Sequence, residues 1–143
     1  MDAKSYLSQI RMLNIKINHK QQEVDDLKIL ATCTGSVSGQ SPDRIISSPS
    51  GDALEKKIIR FVQLEEEINK DIDQLVNIKH QIINQIHFLN DTRYVDILYK
   101  RYVEFKKFEL ISIEMGYDYD WIRKLHTEAL KTFEDKFPHI LTL

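Results

Sequence analysis

Almost nothing outside one stretch of this chain can stop a helix. Three of its four glycines and two of its three prolines lie between Gly35 and Gly51, which leaves Gly116 and Pro138 elsewhere. Glycine ends helices through backbone freedom, and proline through its missing N–H. Around that stretch, apolar residues recur at spacings of three and four, the repeat of helices that bury one face. The expected fold class is all-α. An N-terminal antiparallel coiled-coil hairpin (1–90) is followed by a C-terminal three-helix head (91–143).

In the front part, Tyr6, Ile10, Leu13, Ile17, Lys20, Val24, Leu27 and Ala31 keep a coiled-coil spacing, so one helix is expected over about 3–31. Residues 33–51 are rich in Ser, Gly and Pro and read as a linker, a tether or a partner-binding loop with Ile45 and Ile46 as anchors. A second helix is expected over about 52–90, opened by an Asp52/Glu55 capping box. Its seam is Leu54, Ile58, Phe61, Glu65, Ile68, Ile72, Leu75, Lys79, Ile82, Ile86 and Leu89. Laid antiparallel, the two seams pair Val24 with Phe61, Ile17 with Ile68, and Lys20 with Glu65. A parallel homodimer would instead stack Glu65 on Glu65 and Lys79 on Lys79, so an intramolecular hairpin is expected. Ile82, Ile86 and Leu89 outlast the first helix and mark the joint to the head.

The head begins with Asn90-Asp91 as the cap of a helix over about 92–104. Two further helices, about 107–115 and 119–136, flank a tight turn at Gly116. Ile111, Ser112, Met115, Gly116, Tyr117, Ile122 and Leu125 stand at helix-turn-helix spacing. Gly116 can take positive φ where a Cβ would clash, and Ser112 is small because the second helix crosses close above it. Asp118 is the expected N-cap, its side chain accepting from free N–H groups. Asp120 complements the dipole of the same helix.

Val95-x-x-Leu98-x-x-Arg101-Tyr102-Val103, Ile111-Ser112-x-x-Met115-Gly116-Tyr117 and Ile122-x-x-Leu125-His126-x-x-Ala129-Leu130 together resemble the fourth region of bacterial sigma factors. The resemblance is closer to the small phage and prophage transcriptional regulators of Gram-positive bacteria that carry this region behind a helical part. It covers about 92–134. It implies promoter control through double-stranded DNA, with RNA polymerase as a further partner. The acidic, aromatic start Asp118-Tyr119-Asp120-Trp121 departs from the usual polar or basic one. No companion region for the −10 element is present, so a complete sigma factor is not expected.

In a bound helix-turn-helix, the outward face of the second helix enters the major groove. Here the base-reading face is Tyr119, Asp120, Arg123, Lys124 and Thr127, with Arg101, Lys106 and Lys107 as phosphate contacts. Nine Lys/Arg face ten Asp/Glu over 91–136, so the head alone is no electrostatic magnet. Two alternatives compete. One is an oligomeric phage DNA-packaging adaptor resembling a small terminase subunit. The other is a protein-interaction module using Tyr119 and Trp121 as anchors. Homo-oligomerisation is compatible with all three.

No enzyme, cofactor or metal is expected: there is no Gly-rich phosphate loop, triad spacing or zinc motif. His80 and His87 share a helical face without further ligands, and His126 is expected to be a surface or phosphate-side residue and not a switch. Cys33 is the only cysteine, so no intramolecular disulfide can form. No apolar run approaches the roughly 20 residues of a membrane span, and Met1-Asp2-Ala3-Lys4 opens no leader. A cytoplasmic location is expected.

Overall fold

The computed structural model describes residues 1–37 and 50–141, and side chains within 1–30 and 52–141. The fold is all-α. Helices α1 (Ala3–Leu7), α2 (Gln9–Val37), α3 (Ser50–His87) and α4 (Thr92–Leu98) are followed by a π-helical turn (Tyr99–Val103). Then come α5 (Phe108–Met115), α6 (Tyr119–Lys136) and α7 (Pro138–Leu141). Among the described residues, no helix is long and apolar enough to cross a membrane.

The chain divides into two compact units, Ile15–Asp73 and the pair of segments Met1–Asn14 and Gln74–Leu143. This differs from the expected division at 90/91. The N-terminal segment belongs with the head, and so do Ile82, Ile86 and Leu89, which lie in its core rather than at a joint.

Within Ile15–Asp73, α2 and α3 lie antiparallel. Lys20 pairs with Asp71 (2.6 Å), Glu23 pairs with Arg60 (3.2 Å), and the Lys28 ammonium stands 5.5 Å from the Phe61 ring centroid. Lys20 meets residues 67 and 71 of α3, whereas Glu23 and Lys28, further along α2, meet the earlier residues 60 and 61, which is the hairpin expected. The register is not the expected one. Lys20 meets Asp71, with Glu67 at 3.7 Å, and not Glu65. The α3 seam is displaced by one residue over part of its length: Leu64, 1% exposed, is buried with Val24 and Ile68, while Glu65 faces solvent. Ile78 likewise packs where Lys79 was expected. Leu64 and Ile78 stand one position ahead of the two charges. Taking them inside buries apolar side chains worth about 1.5–3 kcal/mol each and leaves the charges hydrated. In consequence Leu54, Ile58 and Ile72 are exposed.

Several helix ends also move. The helix expected over 3–31 is interrupted at Ser8, whose hydroxyl donates to the Lys4 carbonyl (2.6 Å), a back-bond that bends helices. It resumes at Gln9 and continues to Val37. Backbone that was expected to be linker is therefore helical over 33–37, while Ile45 and Ile46 lie outside the described residues, as does the Cys33 side chain. α3 starts at Ser50, so Asp52 lies in its first turn instead of capping it, and α3 ends at His87 instead of 90.

In the head, Asp91 caps α4 as expected, its carboxylate accepting from the Arg93 N–H at 2.9 Å and from the Arg93 guanidinium. The last turn before the corner loosens into a π-turn, with the Glu104 N–H donating to the Tyr99 carbonyl (3.1 Å). Phe105 then takes φ 59°, uncommon for so large a residue, and reverses the chain toward α5. The N-terminal segment docks on α6: the Ala3 N–H donates to Glu134 Oε1 (3.1 Å), and the Tyr6 ring lies 6.0 Å from Phe133. The Tyr6 hydroxyl donates to Gln85 Oε1 (2.7 Å). Phe133 is fully buried and Phe137 partly so, as expected of the inner face of α6, while the short α7 was not foreseen.

The register gives a direct test. Lys20→Glu should lower the melting temperature followed by circular dichroism, and adding Asp71→Lys should restore it. Restoration by Glu65→Lys instead would reject the observed register.

Candidate nucleic-acid interface

The turn between α5 and α6 is held by Ser112. Its carbonyl accepts from the Gly116 N–H (2.9 Å) and the Tyr117 N–H (3.2 Å), and its hydroxyl donates to the Tyr117 carbonyl (2.6 Å). Gly116 adopts φ 73°, ψ 29°, the left-handed conformation that favours glycine. A Cβ there would meet nothing within 4 Å, so the constraint is the backbone angle and not a clash. Ile111, Ile122 and Leu125 are fully buried in the wedge, Met115 packs at its edge, and Tyr117 stays outside. Asp118 occupies the cap position, but its side chain accepts no N–H. Its carbonyl takes the Ile122 N–H (2.9 Å) instead.

α6 presents two faces. Ile122, Leu125, His126, Ala129 and Phe133 are buried, while Tyr119, Asp120, Arg123, Lys124 and Thr127 are all exposed. The Arg123 guanidinium lies 5.9 Å from the Tyr119 ring centroid, and Thr127 Oγ1 donates to the Arg123 carbonyl (3.1 Å). Asp120, Arg123, Lys124 and Thr127 form one bank of a cleft of about 920 Å³. Tyr119 does not line it. Lys4, Ser8 and Arg11 come in from the N-terminal segment, with Tyr102, Phe105, Phe108 and His126 also lining the cleft. Five cations (Lys4, Arg11, Arg101, Arg123, Lys124) share it with two carboxylates, Asp120 and Glu128.

The expected phosphate contacts separate. Arg101 lines the cleft, its guanidinium donating to the Lys106 carbonyl (3.0 Å) and stacked 4.3 Å from the Phe108 ring centroid. Lys106 is spoken for: its ammonium reaches both Glu114 carboxylate oxygens at 2.9 Å and Glu104 at 3.2 Å. The hydrogen bond to Glu114 holds the Lys106 pKa above its ordinary value and the Glu114 carboxyl below its own. Lys107 is exposed at the start of α5 and does not line the cleft. Spacing in the sequence gave no sign of Lys4 and Arg11, because they enter from the other end of the chain.

His126 is buried, contrary to its expected surface position. Its Nε2 shares a 2.7 Å hydrogen bond with the Tyr102 hydroxyl, and Phe108 stands edge-on to its ring at 4.9 Å. Burial, helped by Arg101 and Lys4, pushes the imidazole down to about 4 from 6.5. Burial likewise pushes the Tyr102 phenol up to about 12. Both are neutral at neutral pH. His80 bonds Asn84 (3.2 Å) and His87 stacks on Tyr99, so each of that pair has its own neighbour.

Set beside protein-family models, curated proteins and solved structures, the chain has no match.

Two outcomes follow from this geometry. Gly116→Ala should destabilise the fold by about 1–2 kcal/mol in denaturant titration, the cost of left-handed backbone with a Cβ, and Gly116→Asn should cost less. For His126, the unfolded chain binds a proton near 6.5 and the folded chain only near 4. Its contribution to stability is complete above 6.5 and is lost as pH falls toward 4. Thermal melts across that window should show a steeper decline for the natural protein than for His126→Gln.

Proposed function

We propose that this chain is a DNA-binding transcription regulator of the phage and prophage kind, reading promoter DNA with the outward face of α6 and acting with RNA polymerase. The observation that supports it most is the coincidence of two features on one helix. Four polar residues suited to base edges, Asp120, Arg123, Lys124 and Thr127, stand exposed on α6. They border a cleft where cations outnumber carboxylates five to two. Arg123 and Lys124 suit guanine O6 and N7, and Asp120 suits cytosine N4. This local excess answers the near-neutral charge count of the head, because phosphate attraction depends on where charges sit within a screening length of about 10 Å.

A protein-contact module is the second reading. Leu110, Ile113 and Trp121 are exposed apolar side chains on α5 and α6, with Ile113 at 77% and Trp121 at 42%. Gel shifts at about 50 mM salt separate the readings, since duplex binding is strongest at low salt. The promoter fragment comes from crosslinking the tagged protein to the genome. Arg123→Ala with Lys124→Ala should abolish the shift while leaving helicity unchanged. A shift that survives both substitutions would refute base reading by α6.

A further inference from the structure

We infer that Lys4 and Arg11, at the opposite end of the chain from α6, form a second bank of the DNA site and clamp the phosphate backbone of the duplex. The inference rests on the DNA-binding reading above and extends it to a segment that the helix-turn-helix spacing does not include.

The N-terminal segment is built into the head. Ala3, Tyr6, Leu7 and Ile10 are buried in its core, and the Ala3 N–H is tied to Glu134 on α6. Asp2 caps α1 by accepting from the Ser5 N–H (2.8 Å), which fixes the backbone that carries Lys4. With the apolar side chains turned inward, Lys4, Ser8 and Arg11, spaced by four and three, line the cleft that α6 also lines. A cation held on anchored backbone loses less entropy on meeting a phosphate than one on a mobile tail.

The charge state of these groups points the same way. Lys4, Arg11, Arg123 and Lys124 enter no ion pair among the described residues. Lys100 and Lys106, by contrast, are both taken up by Glu114. Of the two carboxylates in the cleft, Glu128 accepts from the Tyr94 hydroxyl (3.2 Å). An exposed, unpaired cation is the group that a phosphodiester can neutralise with release of counterions. The cations stand on two banks of an open cleft of about 920 Å³, an arrangement that suits an extended row of charges better than one compact anion.

The test is fluorescence anisotropy of the full chain with a labelled short duplex of arbitrary sequence, titrated at several salt concentrations. Lys4→Ala with Arg11→Ala should weaken binding by tens of fold at about 0.1 M salt. It should also make the slope of log affinity against log salt shallower by about 2, the value for two lost phosphate contacts. Lys16→Ala with Lys70→Ala removes the same charge from exposed positions in the other unit and should leave the slope unchanged. Circular dichroism melts should match throughout, because neither Lys4 nor Arg11 is buried.

If the natural chain binds duplex while Lys4→Ala/Arg11→Ala keeps its slope, the second bank is wrong and the reading of α6 stands. An equal change in the Lys16/Lys70 variant would overturn the inference as a net-charge effect. Tighter binding to single-stranded DNA, with the substitutions acting only there, would overturn the duplex assignment. No binding to duplex at about 50 mM salt would overturn both the inference and the reading beneath it.

Discussion

The buried face of α6 carries the head. Ile122, Leu125, Ala129 and Phe133 are completely or almost completely removed from water, and around them gather Ile97 and Leu98 of α4, Ile111 of α5, and Leu7 and Tyr6 of α1. A single helix can serve so many partners because its apolar positions recur every three or four residues along 18 residues. Losing one of the larger side chains, Phe133 above all, would open a cavity where several elements meet, the kind of defect that costs about 3–5 kcal/mol. The opposite, polar face of α6 is held still by the same packing. A surface that is to read base edges has to be rigid in this way.

Charges in the molecule fall into two populations. One is internally satisfied: Lys20 with Asp71, Arg93 with Asp91, and Lys100 and Lys106 with Glu114. Those that join distant segments, such as Lys20 with Asp71, favour one arrangement over slipped alternatives more than they add stability. The other population, Lys4, Arg11, Arg123 and Lys124, lines the cleft without ion-pair partners among the described residues. Beside them lies the His126–Tyr102 pair, kept neutral by burial, so it adds no charge to the cleft at neutral pH. The proposed DNA site draws only on this second population.

Much of the head was legible residue by residue. Asp91 caps α4, Gly116 takes the left-handed turn, α6 spans Tyr119–Lys136, and the five candidate base-reading residues are exposed. Each of these depends on interactions within about one helical turn, which local spacing encodes directly. The seam of α3 was misread because two frames one residue apart both look apolar. Ile58 and Ile72 favour one frame, Leu64 and Ile78 the other, and Ile68 and Ile82 fit both. Choosing between them means knowing which side chains face α2, and that is a contact between distant parts of the chain. Lys106 shows the same limit in charge. Its reach to Glu114 crosses from the corner onto α5, so a cation that reads as available is already paired.

Sequence by itself determined the class of the fold, the cap of α4, the turn at Gly116 and which side of α6 looks outward. Those properties follow from backbone hydrogen bonds to residues four positions away and from the spacing of apolar side chains. Tertiary structure alone decided that the first residues of the chain belong with the last. Ala3 and Glu134 are 131 positions apart yet share a hydrogen bond, and through that docking Lys4 and Arg11 arrive beside Arg123 and Lys124. No local pattern can carry that information, because which surfaces meet is set by the summed burial of the whole core.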